Sequence, residues 1–174
     1  LQKHGPSGGK HIEVACTELM AELERLIQTA KEHRYEVLVW GDYSIVDCRR
    51  PVFPIRALLK SDLFRVRRVK KYTYPDLYAS RAFAMVDHQV AHVFIENIRD
   101  VPATQECLEA LTGVAEVLDR SALEHPRSGE FILVAEPDAW FAYPWWTEPV
   151  EAPDYARHID IHNKIGFDPC ELFW

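Results

Sequence analysis

The sequence predicts an α/β fold that carries a smaller α+β subdomain, and three observations favour this class. In residues 12–30, apolar side chains recur at steps of three and four, which is typical of a long amphipathic helix. The near-continuous apolar run at residues 36–40 predicts a short strand that is buried on both faces. Residues 63–135 then contain several short runs of β character. This order of elements predicts the edge of an α/β core with an inserted subdomain.

Periodicity and turn signals place the other elements. The long helix is expected to end near His33 and Arg34. A short helix is predicted at residues 51–59, with Pro51 or Pro54 near its start, and another at residues 104–111, ahead of a glycine. Strands are predicted at residues 63–69, 80–86, 90–96, 114–118 and 131–135.

These elements divide the chain into three predicted parts. Residues 1–62 belong to the α/β core, residues 63–137 form a cap-like α+β subdomain, and residues 138–174 contain an aromatic segment and return to the core. In the aromatic segment, packing is favoured over base stacking because no basic residues lie between the rings.

Charge and hydropathy exclude several classes of protein. The net charge of −7 argues against a nucleic-acid partner, and the basic run at residues 65–71 is interpreted as a solvated strand or edge. No run of 18 or more apolar residues is present, so no membrane partner is expected. Leu1 is not an initiator methionine and no apolar leader follows it, so the natural start is expected elsewhere and no signal peptide is predicted.

The cysteines favour a cytoplasmic protein. They are far apart and form no C-x-x-C pair, so a zinc knuckle or a redox motif is not expected. Reduced and mostly buried thiols are the prediction. The four positions are Cys16, Cys48, Cys107 and Cys170.

Two polar groups are candidates for a metal or phosphate site. Asp42 and Tyr43 follow the predicted buried strand, where functional groups of α/β sheets gather, although Asp42 alone would also suit a turn or helix cap. Asp87, His88 and His92 form the second group. If one strand carries both histidines, they share a face and suit zinc, and hydrogen-bonded structural histidines are the alternative.

A third polar group lies near the C-terminus. His158, Asp160 and His162 share one face if the segment is extended, and Lys164 is placed to contact an anion. A hydrogen-bonded return loop is the alternative. The sequence contains no P-loop and no G-x-S-x-G elbow, so serine-hydrolase chemistry has no support.

Longer motifs add a resemblance to a known family. They are residues 2–6, 37–43, 80–84, 87–93, 125–129, 138–141 and 160–173. Through these motifs the chain resembles the alkaline-phosphatase superfamily, and within it bacterial proteins of the type I phosphodiesterase/nucleotide pyrophosphatase branch. The resemblance implies that the predicted α/β edge belongs to an alkaline-phosphatase-like core of sheet and helices.

The resemblance also implies a chemistry. Members of the superfamily hydrolyse phosphate esters and anhydrides with two metal ions, usually zinc, and a Thr or Ser nucleophile. It implies Asp42 and His162 as metal ligands and Lys164 as a contact to a phosphate oxygen. Tyr43 stands where the family commonly has a histidine. Further candidate ligands are Tyr43, Asp87, His88 and His92.

Finally, the resemblance implies that the nucleophile lies upstream of Leu1. The chain is then expected to be the C-terminal part of a larger hydrolase, with the N-terminal half of the same protein as its partner and a phosphate-ester or nucleotide-like small molecule as its substrate. The alternative, favoured by Tyr43, is a non-catalytic binding or partner protein of the same fold.

Overall fold

A computed structural model describes Pro6, residues 8–41 and residues 44–157. These residues fall into two compact units, of which the first ends at Asp47 and the second begins at Cys48. The three-part division at residues 62 and 137 stays a prediction. The α/β class is confirmed, since helices and several sheets are both present.

In the first unit, the long helix is confirmed as α1, Lys10–Glu32. It ends at the C-cap residue His33, after which Arg34 adopts a left-handed φ of 62° that a helix cannot continue. No residue of α1 is buried, and Leu26 on its apolar stripe is 65% exposed. The apolar face of α1 is therefore exposed and is not buried against other described residues.

The predicted buried strand at residues 36–40 is wrong for the described structure. Its backbone forms no strand, and Leu38 and Trp40 are 79% and 75% exposed. A strand needs a neighbour to pair its N–H and C=O groups, and no described residue pairs with this run. An apolar run alone therefore did not fix the conformation.

The second unit contains the remaining helices and all the strands of the described chain. Short 3-10 helices lie at Ile98–Asp100, Arg120–Ala122, Pro149–Glu151 and Asp154–Arg157. The longer elements are β1 Arg50–Val52, α2 Pro54–Lys60, β2 Val66–Val69, β3 Tyr72–Pro75, β4 Ala82–Asp87, β5 Val90–Ile95, α3 Val101–Glu109, β6 Val114–Asp119, β7 Phe131–Ala135 and β8 Ala139–Phe141.

A four-stranded antiparallel sheet organises this unit in the order β4-β5-β7-β6. Helix α2 packs against β4 and α3, and α3 packs against β6. Strands β2 and β3 form a separate antiparallel hairpin, while β1 and β8 pair in parallel. Each large apolar side chain removed from water contributes roughly 1.5–3 kcal/mol. The largest fully buried apolar side chains include Phe64, Leu58, Leu63, Leu108 and Leu133.

Most predicted elements of this unit are confirmed within a few residues, and the differences have local causes. Strands β1, β3 and β8 were not predicted, because three or four residues are too few to show a period. Packing of the aromatic segment is confirmed: Trp146 is 9% exposed, and Trp145 Nε1 donates to Thr73 Oγ1 at 3.0 Å. The expected burial of the cysteines is wrong for Cys16, which is exposed on α1.

None of the helices in the described ranges combines the length and apolar character needed to cross a bilayer.

Candidate functional site

Six of the predicted site residues lie outside the described residues. They are Asp42, Tyr43, His158, Asp160, His162 and Lys164. Their proposed roles as ligands and as a substrate contact stay predictions. The described part of the candidate site is the turn between β4 and β5, where Asp87 and His88 lie.

The structure corrects the expected placement of the two histidines. Asp87 ends β4 and pairs with Val90, so His88 occupies a two-residue hairpin turn and not a strand. His92 lies on β5, opposite Met85. The two imidazoles therefore do not share a strand face, because the chain reverses between them.

The turn brings an imidazole and a carboxylate together. His88 Nδ1 lies 2.6 Å from Asp87 Oδ1, and the two side chains are 56% and 82% exposed. His88 has a φ of 54°, a region that favours glycine. The hydrogen bond to the carboxylate orients the ring and favours a proton on Nδ1. An orienting carboxylate of this kind commonly accompanies a metal-binding or proton-transferring histidine.

Gln89, the second turn residue, ties the turn to the connection between β7 and β8. Its side-chain amide lies 2.9–3.3 Å from the carbonyl oxygens of Glu136, Pro137 and Ala139. The main chain adds a bond from the Phe141 N–H to the carbonyl of His88 at 2.7 Å. The position of the Asp87–His88 pair is therefore fixed by several backbone contacts.

Beside this connection, Arg50 of β1 is held by two carboxylates. It donates to Glu136 and, through Nε at 3.0 Å, to Asp138. These hydrogen bonds raise the pKa of Arg50, and the bond from Arg50 lowers the pKa of the Asp138 carboxyl. Both bonded carboxylates offset the charge of Arg50, which makes it a poor site for a substrate phosphate.

The sequence argument missed Arg50, Gln89 and Glu136. The one available signal was a pair of carboxylates, Glu136 and Asp138, directly after the predicted strand at residues 131–135. Nothing local in the sequence indicated that Arg50 would lie beside them, since the parallel β1–β8 pairing is a long-range contact.

His92 makes a structural contact. Its Nδ1 accepts a hydrogen bond from the Gly129 N–H at 3.3 Å, and its ring lies 6.4 Å from that of Phe94. Because Nδ1 accepts this hydrogen bond, it carries no hydrogen of its own, and the N–H group of the ring is then at Nε2. This contact is the one expected of a hydrogen-bonded structural histidine. A role of His92 in metal binding stays a prediction.

A metal centre would need more donors than the described residues bring together. Among residues 8–41 and 44–157, no group of three or more His, Cys, Asp or Glu side chains is placed to hold a metal ion. The Asp87–His88 pair supplies at most one oriented imidazole. The chemistry of this donor pair suits zinc, which prefers nitrogen and carboxylate ligands, but it does not complete a site.

The polar side chains of the described site lie where two strands end: Asp87 ends β4, and Glu136 follows the last residue of β7. The model of the type I phosphodiesterase/nucleotide pyrophosphatase family matches residues 1–168, so the chain belongs to that family. This confirms the resemblance and is consistent with the alkaline-phosphatase superfamily. The family indicates a hydrolase of the phosphodiesterase or pyrophosphatase type and is normally metal-dependent. No curated protein and no solved structure gave a match.

Proposed function

We propose that this chain is the C-terminal part of a hydrolase that cleaves phosphodiester or nucleotide pyrophosphate bonds with the help of two divalent metal ions, which are zinc in this proposal. The observation that carries the proposal is the extent of the family match. It runs over residues 1–168 and so includes the positions of both Asp42 and His162.

In this mechanism the chain supplies ligands and orientation. Asp42 and His162 would hold the metal, with Tyr43, Asp87, His88 and His92 as further candidates. Lys164 would steady an oxygen of the substrate phosphate by charge. A bound metal of this class polarises phosphoryl oxygens and stabilises the charge on the leaving oxygen. Asp87 would contribute by fixing the orientation of the His88 ring, which it contacts at 2.6 Å.

The proposed partner is the N-terminal half of the same protein, which would supply the nucleophile. Support comes from the apolar surface of the first unit. Helix α1 buries none of its residues, and the run at residues 36–40 is exposed although it has the composition of a buried strand. Neighbouring strands and a covering layer would bury both features. Their burial would also place Asp42 at the end of a paired strand.

The substrate class follows from the family and not from a described pocket. We propose a phosphate-ester or nucleotide-like small molecule. A cytoplasmic location is kept as part of the proposal, because the spacing of the cysteines suits reduced thiols.

Replacing His162 tests the proposal. In the complete protein, His162→Ala should reduce turnover of bis(p-nitrophenyl) phosphate by about 100-fold or more, since loss of a residue that only supports a metal ligand already costs about 10–100-fold. Bound zinc, measured by elemental analysis, should fall in the same samples. Unchanged turnover and unchanged metal content would reject His162 as a ligand.

His33→Ala is the matched control. His33 is an exposed C-cap residue of α1, so this substitution removes an imidazole without touching the candidate site. The control should keep both its metal and its turnover. Equal losses in the two variants would mean that the effect of His162→Ala is not specific.

A non-catalytic binding or partner protein of the same fold is the second proposal, and Tyr43 is the observation that favours it. A phenol is a poorer zinc ligand than the imidazole that the family commonly has at that place. A complete protein that binds phosphate esters but does not hydrolyse them, with zinc supplied, would support this second proposal over the first.

A further inference from the structure

The β2–β3 hairpin carries the densest group of cations in the described chain. Two of its arginines are neutralised, since Arg65 pairs with Asp62 at 2.8 Å and Arg68 with Glu151 at 2.6 Å. The other three cations, Arg67, Lys70 and Lys71, have no carboxylate partner among the described residues. The hairpin therefore presents three uncompensated positive charges on a chain whose net charge is −7.

The turn of this hairpin is built from residues that its geometry does not favour. Val69 pairs with Tyr72, so Lys70 and Lys71 form a two-residue turn, and Lys70 has a φ of 55°. A two-residue turn with a positive φ at its first position favours glycine there, because glycine adopts positive φ at little cost. Two lysines at the tip give up part of this turn stability and place two exposed charges there. A local cost of this kind is typical of a functional surface.

An apolar side chain lies beside these charges. Val69 is 46% exposed and precedes the two lysines directly. Its cross-strand partner Tyr72 is half-buried, and the Lys71 ammonium lies 5.2 Å from the centre of the Tyr72 ring. Cations beside an exposed aliphatic side chain and a tyrosine are the combination that peripheral proteins bring to a headgroup layer.

The tyrosine rings argue against single-stranded nucleic acid as the occupant. Base stacking needs an open ring face, and one face of Tyr72 is already covered by Lys71. Tyr74 is tied by its hydroxyl to Asp154 at 2.8 Å, which places a carboxylate beside a ring that a phosphate backbone would approach. Because the hairpin offers cations but no tyrosine ring open for stacking, binding to a surface of anionic lipid headgroups is favoured over binding to nucleic acid.

We propose that the β2–β3 hairpin docks on an anionic bilayer surface through Arg67, Lys70 and Lys71, with Val69 at the headgroup boundary. The contact is peripheral and needs no membrane-spanning segment. It does not depend on the proposed hydrolysis, because none of these residues belongs to the candidate site. The attraction falls off within a Debye length, so it is sensitive to salt.

Vesicle sedimentation with the full chain tests the proposal. The chain should bind phosphatidylserine-rich vesicles at about 0.1 M salt, should bind pure phosphatidylcholine vesicles weakly, and should be released at about 1 M salt. The double variant Lys70→Gly, Lys71→Asn should lose about 30-fold in its partition coefficient, about 5-fold for each lysine. Gly-Asn suits this turn, because the positive φ lies at its first position, so the variant should keep the fold, and circular dichroism would check that it does.

A second double variant controls for net charge. Arg99→Gln with Arg127→Gln removes two exposed cations elsewhere in the second unit and should leave vesicle binding almost unchanged. Equal binding by the hairpin variant and the unmodified chain would overturn the proposal, as would no binding to anionic vesicles. If the chain binds single-stranded nucleic acid through the same lysines but does not bind vesicles, the proposal is overturned and nucleic acid is the partner.

Discussion

Gly129 lies against strand β5, and its replacement by alanine should destabilise the second unit strongly. A Cβ atom at this position would lie 2.5 Å from the carbonyl oxygen of Val93 and 2.7 Å from its nitrogen. Ordinary contact begins near 3.4 Å, so the closest approach is about 0.9 Å too short. Both contacts are with the backbone of a central strand, which cannot rotate away as a side chain can.

The expected cost of Gly129→Ala is about 3 kcal/mol, at the upper end of the range for overpacked sites. The melting temperature should fall by roughly 6–12 °C for a chain of this length. The segment would also move away from β5, which should break the bond from the Gly129 N–H to His92 Nδ1. Near-ultraviolet circular dichroism should report the unfolding of the second unit, because the Trp145–Trp146 pair belongs to that unit.

Gly41→Ala is the matched control, since no atom lies within 4 Å of a Cβ at that position. It should change the melting temperature by less than about 2 °C, in the range of a surface substitution. A Gly129→Ala variant with the same melting temperature as the control would refute the close approach of the Gly129 and Val93 backbones.

Two further predictions concern polar contacts. The hydrogen bond from Arg81 lowers the pKa of the buried Asp100 carboxyl below its ordinary 3.8. The ionised carboxylate therefore stabilises the folded state above pH 3.8, and this stabilisation is lost as the pH falls through the pKa of Asp100 in the folded protein. In urea unfolding between about pH 5 and pH 2, the free energy of unfolding should fall less for Asp100→Asn than for the unmodified chain. An equal dependence on pH in the two proteins would contradict the role given to Asp100. Trp145→Phe removes the donor to Thr73 and should cost about 1 kcal/mol, whereas Trp40→Phe, at a 75% exposed residue, should cost almost nothing in the same assay.

Much of the fold could be predicted because its signals are local. The period of α1 and the short apolar or alternating runs of β4, β5 and β7 place these elements within a few residues. The run at residues 36–40 shows the limit of such signals, since its conformation depends on a partner strand that the sequence of the run does not contain. The parallel pairing of β1 with β8 was missed for the same reason, because only tertiary contacts specify it.

The candidate site was predictable in its residue types but less in its geometry. His88 and His92 were chosen for a shared strand face, but β4 ends at Asp87, so His88 lies in the turn between β4 and β5 beside Asp87. The alternation rule places side chains only while the strand continues. Gln89, which holds this turn in place, has no feature in the sequence that separates it from a solvated glutamine.

The measurement that tests the central claim most directly is the bound metal and the phosphodiester turnover of the complete protein, determined in one sample before and after chelation. Metal-dependent hydrolysis predicts that zinc is present, that turnover disappears when it is removed, and that both return when it is restored. Turnover that persists in the metal-free protein, or a metal-loaded protein without turnover, would contradict the proposed function.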